Sequence, residues 1–179
     1  MEEEERKMMV NKERRWMAPN RGWLKCNVGV DLDKANQRSG GSWVLRNEYG
    51  KVILHSRRAF SNILTLDEAK LQGFLWAVES LSFHHVNRVI IAIDDNTLPN
   101  VILRPKAWPN FTSQYSDMIK RLRKLEWWRV IKEDRLTNKG AFLIAQSVTK
   151  GGYAQSYVAA GAPYWMIETF QNEEPFPSV

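Results

Sequence analysis

The stretch from residue 89 to residue 96 reads VIIAIDDN, and it decides how the rest of the sequence is interpreted. An apolar run leads directly into two adjacent carboxylates, Asp94 and Asp95. A run of this length predicts a central strand that is covered on both faces. A strand end that needed only solubility could take almost any polar residue, whereas a carboxylate there is well placed to hold a metal ion. The function therefore depends on which residues accompany Asp94.

The composition is ordinary for a globular chain. Its 179 residues suit one domain with flanking tails, and 44% of them are hydrophobic and 26% charged. The formal net charge of +6 is compatible with a nucleic acid or an acidic protein as partner, and equally with solubility alone. Cys26 is the single cysteine, so no intramolecular disulfide can form, and we expect the nucleus or the cytoplasm as location. No apolar run approaches the roughly 18 residues of a membrane span, so we expect no membrane partner.

The apolar periodicity predicts the element order β-β-β-α-β-α-β-α. Alternation marks the first strand at 23–30, and helical spacing marks the first helix at 65–81, where Thr65 and Glu68 form a capping box. Residues 127–133 are predicted to form the fifth strand. The sequence therefore predicts an α/β domain with a mixed five-stranded sheet and helices on both faces.

Three segments are expected along the chain. Residues 1–20 form a charged N-terminal tail, whose Trp16 can dock on the body of the protein. Residues 21–166 form the α/β domain, and residues 167–179 form an acidic C-terminal tail.

Six blocks of the sequence, taken together, carry a resemblance to a known family. They are W-x-x-P-x-x-G-W-L-K-C-N-V at 16–28, G-G-S-W-V-L-R-N-E-Y-G-K-V at 40–52, E-A-K-L-Q-G-F-L-W-A-V-E-S at 68–80, V-I-I-A-I-D-D at 89–95, N-K-G-A-F-L-I-A-Q-S at 138–147 and S-Y-V-A-A-G-A-P-Y-W at 156–165. In this order and at this spacing they resemble the plant ribonuclease H-like domain of the reverse-transcriptase-associated type. The resemblance covers roughly residues 16–166 and implies the ribonuclease H-like fold.

The resemblance also implies where catalytic residues would stand. Active members of the family are similar in four carboxylates that hold two magnesium ions, which align a water molecule for attack on the RNA of an RNA–DNA hybrid. Carried over block by block, the four positions are Gly29, Lys70, Asp94 and Phe142. Because Mg²⁺ is a hard cation that needs several oxygen ligands, we expect no catalytic residue, no cofactor and no metal site, with Asp94 as a vestigial, weak candidate ligand.

The resulting hypothesis is a catalytically inactive RNase H-fold domain that serves as a binding or adaptor module. Its partner would be nucleic acid, either an RNA–DNA hybrid or structured RNA, or a protein of a nuclear complex. Four cations are candidate phosphate contacts, although they equally suit a solvated helix face: Lys120, Arg121, Arg123 and Lys124. A protein partner would instead use an exposed apolar surface near Tyr157, Tyr164 and Trp165.

Two expectations concern the remaining acidic residues. Lys70 can approach Asp94 and take the place of a metal ion, or it can turn away to water, while Asp95 is expected in a turn or as a helix cap. The alternative function is a divergent, magnesium-dependent ribonuclease H that cleaves RNA in RNA–DNA hybrids with Asp31, Asp67 and Asp94 together. Magnesium is a cofactor only under that alternative.

Overall fold

A computed structural model describes residues 1–6, 15–153 and 155–175 of the chain. Residues 7–14 of the expected N-terminal tail and residues 176–179 of the expected C-terminal tail lie outside the described residues. In chain order the elements are β1 (Leu24–Asp33), β2 (Arg38–Arg46), β3 (Val52–Ser61), α1 (Leu66–Phe83), β4 (Arg88–Ile93), α2 (Leu98–Leu103), α3 (Thr112–Leu122), β5 (Trp127–Lys132), α4 (Lys139–Thr149), β6 (Tyr157–Ala160) and α5 (Ile167–Asn172).

One mixed sheet organises the described residues, with the strand order β5-β4-β1-β2-β3-β6. The first three strands form an antiparallel meander, and β4 and β5 run parallel to β1. The predicted α/β class and mixed sheet are confirmed, but the sheet has six strands and not five. The sixth strand, β6, was missed because it has only four residues and alternates weakly; its pairing with β3 gives it a place in the sheet.

Helices cover both faces of the sheet, as predicted. The larger apolar cluster joins β1, β2 and β4 to α1, α2 and α3 on one face, and a smaller cluster joins β2 to α4 and α5 on the other. The predicted cap of α1 is present in a variant form: Thr65 Oγ1 accepts the Glu68 N–H at 3.1 Å, and the Glu68 carboxylate accepts the N–H of Leu64, the residue before the cap, at 3.3 Å. No helix in the described parts of the chain combines the length and the apolar character needed to cross a membrane.

Two glycines allow α4 to lie very close to the sheet. A Cβ atom at Gly29 on β1 would approach the carbonyl oxygen of Ala141 to well under 3.0 Å, which real Cβ atoms do not show. A Cβ atom at Gly40 on β2 would meet the carbonyl oxygen of Ala145, one helical turn further on, in the same way. The backbone of α4 therefore rests directly on the backbone of two strands.

Both ends of the described domain are fastened to Arg46, which is 1% exposed. Its guanidinium lies 3.7 Å from the ring centre of Trp16 and 5.1 Å from that of Phe170. It donates hydrogen bonds to the carbonyl oxygens of Gly50 at 2.9 Å and Phe170 at 3.0 Å, and to the carboxylate of Glu173 at 2.8 Å. Burial lowers the pKa of Arg46 and raises the pKa of Glu173, so both groups are desolvated and their attraction offsets part of that cost.

These contacts decide the two expectations for the tails. Trp16 docks on the body, as predicted, and its indole N–H donates to the side-chain oxygen of Asn27 at 2.9 Å. The expectation of an acidic tail after residue 166 is wrong for 167–175, because α5 packs on the sheet and Phe170 is only 4% exposed. The acidic residues that follow serve as ion-pair partners, Glu173 for Arg46 and Glu174 for Lys51.

Replacement of Phe170 tests whether α5 belongs to the domain. We expect Phe170→Ala to lower the free energy of unfolding by about 3–5 kcal/mol, because it removes a buried ring and one face of the Arg46 site. Phe83→Ala is the matched control: Phe83 is 78% exposed, so its loss should change the free energy by no more than about 0.5 kcal/mol. Urea unfolding followed by circular dichroism measures both, and equal stabilities of the two variants would contradict the packing of α5.

Candidate functional site

The end of β4 opens onto a small cavity of about 50 Å³. Three of the four family positions line it, namely Lys70 from α1, Asp94 after β4 and Phe142 from α4. We call it the β4 cavity; its remaining lining residues are Val28, Val30, Leu66, Ile93, Arg135 and Asn138. The fold thus brings together three of the four positions that the sequence resemblance implied.

Lys70 makes its ion pair with Asp95, and the expected pair with Asp94 is wrong. The Lys70 ammonium lies 3.4 Å from Asp95 Oδ1, and no described cation lies within ion-pair distance of Asp94. The reason is local: the other oxygen of Asp95 accepts the backbone N–H groups of Thr97 at 3.0 Å and Leu98 at 2.6 Å, at the start of α2. This cap turns the Asp95 carboxylate towards Lys70, and it makes Asp95 the helix-capping residue that was one of its two expected roles.

The first family position has no room for any side chain. Gly29 faces α4, and the hydroxyl of Ser42 lies beside it and donates to the carbonyl oxygen of Ala141 at 2.5 Å. A Cβ atom at position 29 would meet both groups, the hydroxyl oxygen at 2.6 Å. The space beside β1 is therefore filled by the backbone of α4.

The start of α4 is held against β1 by buried amides. Asn138 is 3% exposed; it donates to the carbonyl oxygen of Val28 at 2.8 Å and accepts from Asn27 at 2.9 Å. Asn27 also donates to the carboxylate of Glu133 at 3.2 Å, and Glu133 forms an ion pair with the buried Lys25. This network uses a further carboxylate near the β4 cavity for structure, because each of its oxygens already has a partner.

The residues around the β4 cavity do not fit magnesium. Asp94 is the one carboxylate that lines it, whereas Lys70 and Arg135 bring two cations. The Arg135 guanidinium lies 4.1 Å from the ring centre of Phe142, so the fourth family position carries a cation on an aromatic face. A divalent cation needs several oxygen ligands and is repelled by these two cations. Across the described ranges no three His, Cys, Asp or Glu side chains come together in a way that could hold a metal ion.

The three acidic residues of the alternative hypothesis lie apart. Asp31 accepts a hydrogen bond from Thr149 at the end of α4 and lines a different cavity. Asp67 lines a third cavity, together with Asp95. Only Asp94 faces the β4 cavity. The structure does not bring the three together.

The four predicted phosphate contacts lie far from the β4 cavity. They occupy the end of α3 and the turn before β5, whereas Asp94 follows the opposite end of the paired strand β4, about 20 Å away along six residues. Arg121 is committed to an ion pair with Glu79 at 2.7 Å. The other three, Lys120, Arg123 and Lys124, are exposed and available to a ligand.

The predicted apolar surface is a concave pocket. Tyr157, Tyr164 and Trp165 line a cavity of about 720 Å³ beside β6, which we call the β6 pocket. His55 and Arg57 of β3 also line it. Sequence reasoning did not select Arg57, because its cross-strand partner is Tyr157 on the strand that was missed. The available signal was the alternation of His55 and Arg57 on one face of β3.

Comparison with known proteins identifies a matching family and structures with a similar fold. The family described as reverse transcriptase-like matches residues 27–148. The chain is similar to the RNase H1 of the halophilic archaeon Halobacterium salinarum NRC-1, with 16% identity, a TM-score of 0.62, and coverage of 73% of this chain and 99% of that one. No curated protein sequence matches the chain.

Two further solved structures show the same fold. The N-terminal RNase H domain of a Mycobacterium tuberculosis protein has 13% identity and a TM-score of 0.60, and the match covers 72% of this chain and 94% of that one. An RNase H1 isolated from compost, solved in complex with an RNA/DNA hybrid, has 12% identity and a TM-score of 0.60, with 72% and 98% covered. At such identities the likeness concerns the fold alone.

The close contact at Gly29 predicts a specific loss of stability. We expect Gly29→Ala to lower the free energy of unfolding by about 1–3 kcal/mol, because the added methyl group must push the backbone of α4 off β1. The control is Gly73→Ala on α1, whose methyl group would meet the side-chain Cγ2 of Val30 at 2.8 Å and gains helix propensity. Because a side chain can move where a backbone cannot, the loss of stability should be smaller than that of Gly29→Ala. Urea denaturation measures the stability of both variants. A Gly29→Ala protein as stable as the parent would contradict the close backbone contact between α4 and β1.

Proposed function

The chain belongs to the reverse transcriptase-like family, and we propose that its RNase H-like domain binds nucleic acid without cleaving it. The observation that carries the proposal is the closed first family position, where the α4 backbone occupies the space of a metal-binding carboxylate at Gly29. A cation and an aromatic residue at two further positions, Lys70 and Phe142, support it.

Absence of cleavage follows from electrostatics. Hydrolysis in this family needs two metal ions that stabilise the attacking and the leaving oxygens. Lys70 already carries a fixed positive charge at this position and is paired with Asp95, so no divalent cation is needed to balance Asp95. Replacing one side chain would not restore the site, since the space beside Gly29 is filled by backbone.

Nucleic acid is the favoured partner because of charge and of the structural neighbours. The chain carries a net charge of +6, and nucleic acid affinity comes largely from cations that contact phosphates. One structural neighbour was solved with an RNA/DNA hybrid and another, the foamy viral protease-reverse transcriptase with a TM-score of 0.51, with double-stranded DNA. We assign the phosphate contacts to Lys120, Arg123 and Lys124, which are exposed and have no ion-pair partner among the described residues.

A cleavage assay tests the absence of catalysis. We expect the protein to leave a labelled RNA–DNA hybrid intact in the presence of Mg²⁺ or Mn²⁺, because the residues of the β4 cavity do not fit a metal ion. Asp94→Asn is the matched control, since it removes the single cavity carboxylate and should behave like the parent protein. Cleavage that depends on Mg²⁺ and disappears in Asp94→Asn would instead establish the divergent ribonuclease.

A binding assay tests the partner and the contact residues. We expect the affinity for an RNA–DNA hybrid, measured by fluorescence anisotropy, to fall steeply with salt. Joint replacement of Lys120, Arg123 and Lys124 by glutamine should weaken binding and reduce the slope of log K against log salt by about one for each lost contact.

The control for this assay removes the same charge elsewhere. Replacement of Lys34, Arg104 and Lys106, all exposed, deletes two lysines and one arginine as well. If the two triple variants weaken binding equally, Lys120, Arg123 and Lys124 contribute only through the net charge of the protein and make no specific contact. Absence of hybrid and RNA binding at low salt would refute the proposed function and leave a protein partner as the candidate.

A further inference from the structure

The β6 pocket combines aromatic rings with a cation and has no described acidic residue in its lining. Its volume of about 720 Å³ is in the range of sites that hold small ligands or single nucleotides. Tyr164 is 86% exposed, Tyr153 57% and Trp165 46%, so three ring faces remain available to a ligand. Exposed aromatic rings around a concave site are typical of a surface that binds a partner.

Arg57 lies in this pocket without an anionic partner. Its guanidinium is held between Tyr153 and Tyr157, at 4.7 and 4.8 Å from their ring centres. Its Nε is buried and has no hydrogen-bond partner among the described residues, and its Nη1 donates a long hydrogen bond to the hydroxyl of Ser147 at 3.5 Å. Unlike Arg46, whose guanidinium binds Glu173, Arg57 has no carboxylate partner among the described residues. A rigidly held guanidinium of this kind suits a phosphate or a carboxylate.

His55 keeps the wall of the pocket in place. Its Nδ1 lies 2.5 Å from the carbonyl oxygen of Gly161, so this nitrogen carries the proton and donates it. Its Nε2 then accepts from the hydroxyl of Tyr157 at 3.1 Å. Burial lowers the pKa of His55, which leaves the ring neutral at neutral pH. Arg57 is therefore the charged group that lines the pocket.

The β6 pocket is separate from the β4 cavity. In the sheet order β3 is three strands from β4, which corresponds to about 14 Å. Tyr153, Tyr157, Tyr164 and Trp165 all follow residue 148, where the match to the reverse transcriptase-like family ends. The aromatic side of the pocket is thus built by a segment outside the matched region, whereas His55 and Arg57 lie within it.

We propose that the β6 pocket binds an unpaired nucleotide of single-stranded nucleic acid. Trp165 and Tyr164 stack on the base, and Arg57 binds the adjoining phosphate. A ligand with a flat apolar face and a negative charge matches the lining, because the pocket offers both aromatic faces and one unpaired guanidinium. The proposal rests on the proposed function only in that both take nucleic acid as the partner.

A single strand fits better than a duplex. In a duplex the faces of the bases are stacked on each other and cannot contact a protein ring. In a single strand each base can leave the stack and lie on an aromatic side chain, whatever its identity. The domain then contacts nucleic acid at two places. A duplex binds at Lys120, Arg123 and Lys124, and an unpaired end or loop binds in the β6 pocket.

Binding of a short, labelled, single-stranded oligonucleotide to the full chain tests the proposal. We expect Trp165→Ala to raise its Kd about 5- to 150-fold through lost stacking. Arg57→Gln should weaken binding and reduce the salt slope by about one. Trp127→Ala, a 55% exposed tryptophan on β5, and Arg58→Gln, the next residue on β3, are the matched controls and should bind like the parent. Thermal melting of each variant checks that it is folded, and Tyr164→Ala, at a highly exposed ring, provides a further variant.

The outcomes separate this proposal from the proposed function. If the β6 pocket variants and their controls bind the oligonucleotide equally, the pocket assignment is overturned, and hybrid binding by the parent protein still supports the proposed function. If the parent binds the hybrid but no single strand, only the pocket assignment fails. If it binds neither, both fail. Binding of a labelled acidic peptide that Arg57→Gln weakens, without binding of the oligonucleotide, would overturn the proposal and assign the pocket to a protein.

Discussion

The direct contact between the backbone of α4 and Gly29 is the constraint on which the rest of this structure depends. It sets the distance between the helix and the sheet, and Gly40 allows the same approach one turn further along. The glycine at position 29 and the tight packing of α4 are therefore a single structural feature. Any side chain at position 29 would separate the two layers, so the closed site and the stable fold support each other.

Charge is redistributed around this packed layer. The family arrangement holds acidic residues together with metal ions, whereas here Lys70 and Arg135 supply the positive charge as fixed side chains. Asp95 and Glu133 are drawn into structural roles, the first as the cap of α2 and the second in the amide network that holds the start of α4. Where side-chain cations already neutralise the carboxylates, a divalent ion gains little electrostatic stabilisation.

The fold was accessible from the sequence because it rests on local signals. The periodicity of β1, α1 and β4 and the capping box at Thr65 act within a few residues, and all of them are present. The missed features depend on contacts between distant residues. The sequence of α5 resembles an acidic tail, because its packing depends on the contact between Phe170 and the distant Arg46. The pairing of Lys70 with Asp95 could not be predicted, because the hydrogen bonds of Asp95 at the start of α2 set the direction of its carboxylate. Arg57 likewise gained its place only from the pairing of β3 with β6.

The position of Arg46 between Trp16 and Phe170 also bears on biosynthesis. Arg46 and Phe170 are 124 residues apart in the chain, so the guanidinium gains its last partners only when the end of the domain has left the ribosome. Until then a cation that is fully buried in the finished protein stays in water, and the N-terminal segment lacks its complete docking site. Contacts between such distant residues close late in folding. The domain is therefore expected to complete its folding only after α5 has left the ribosome.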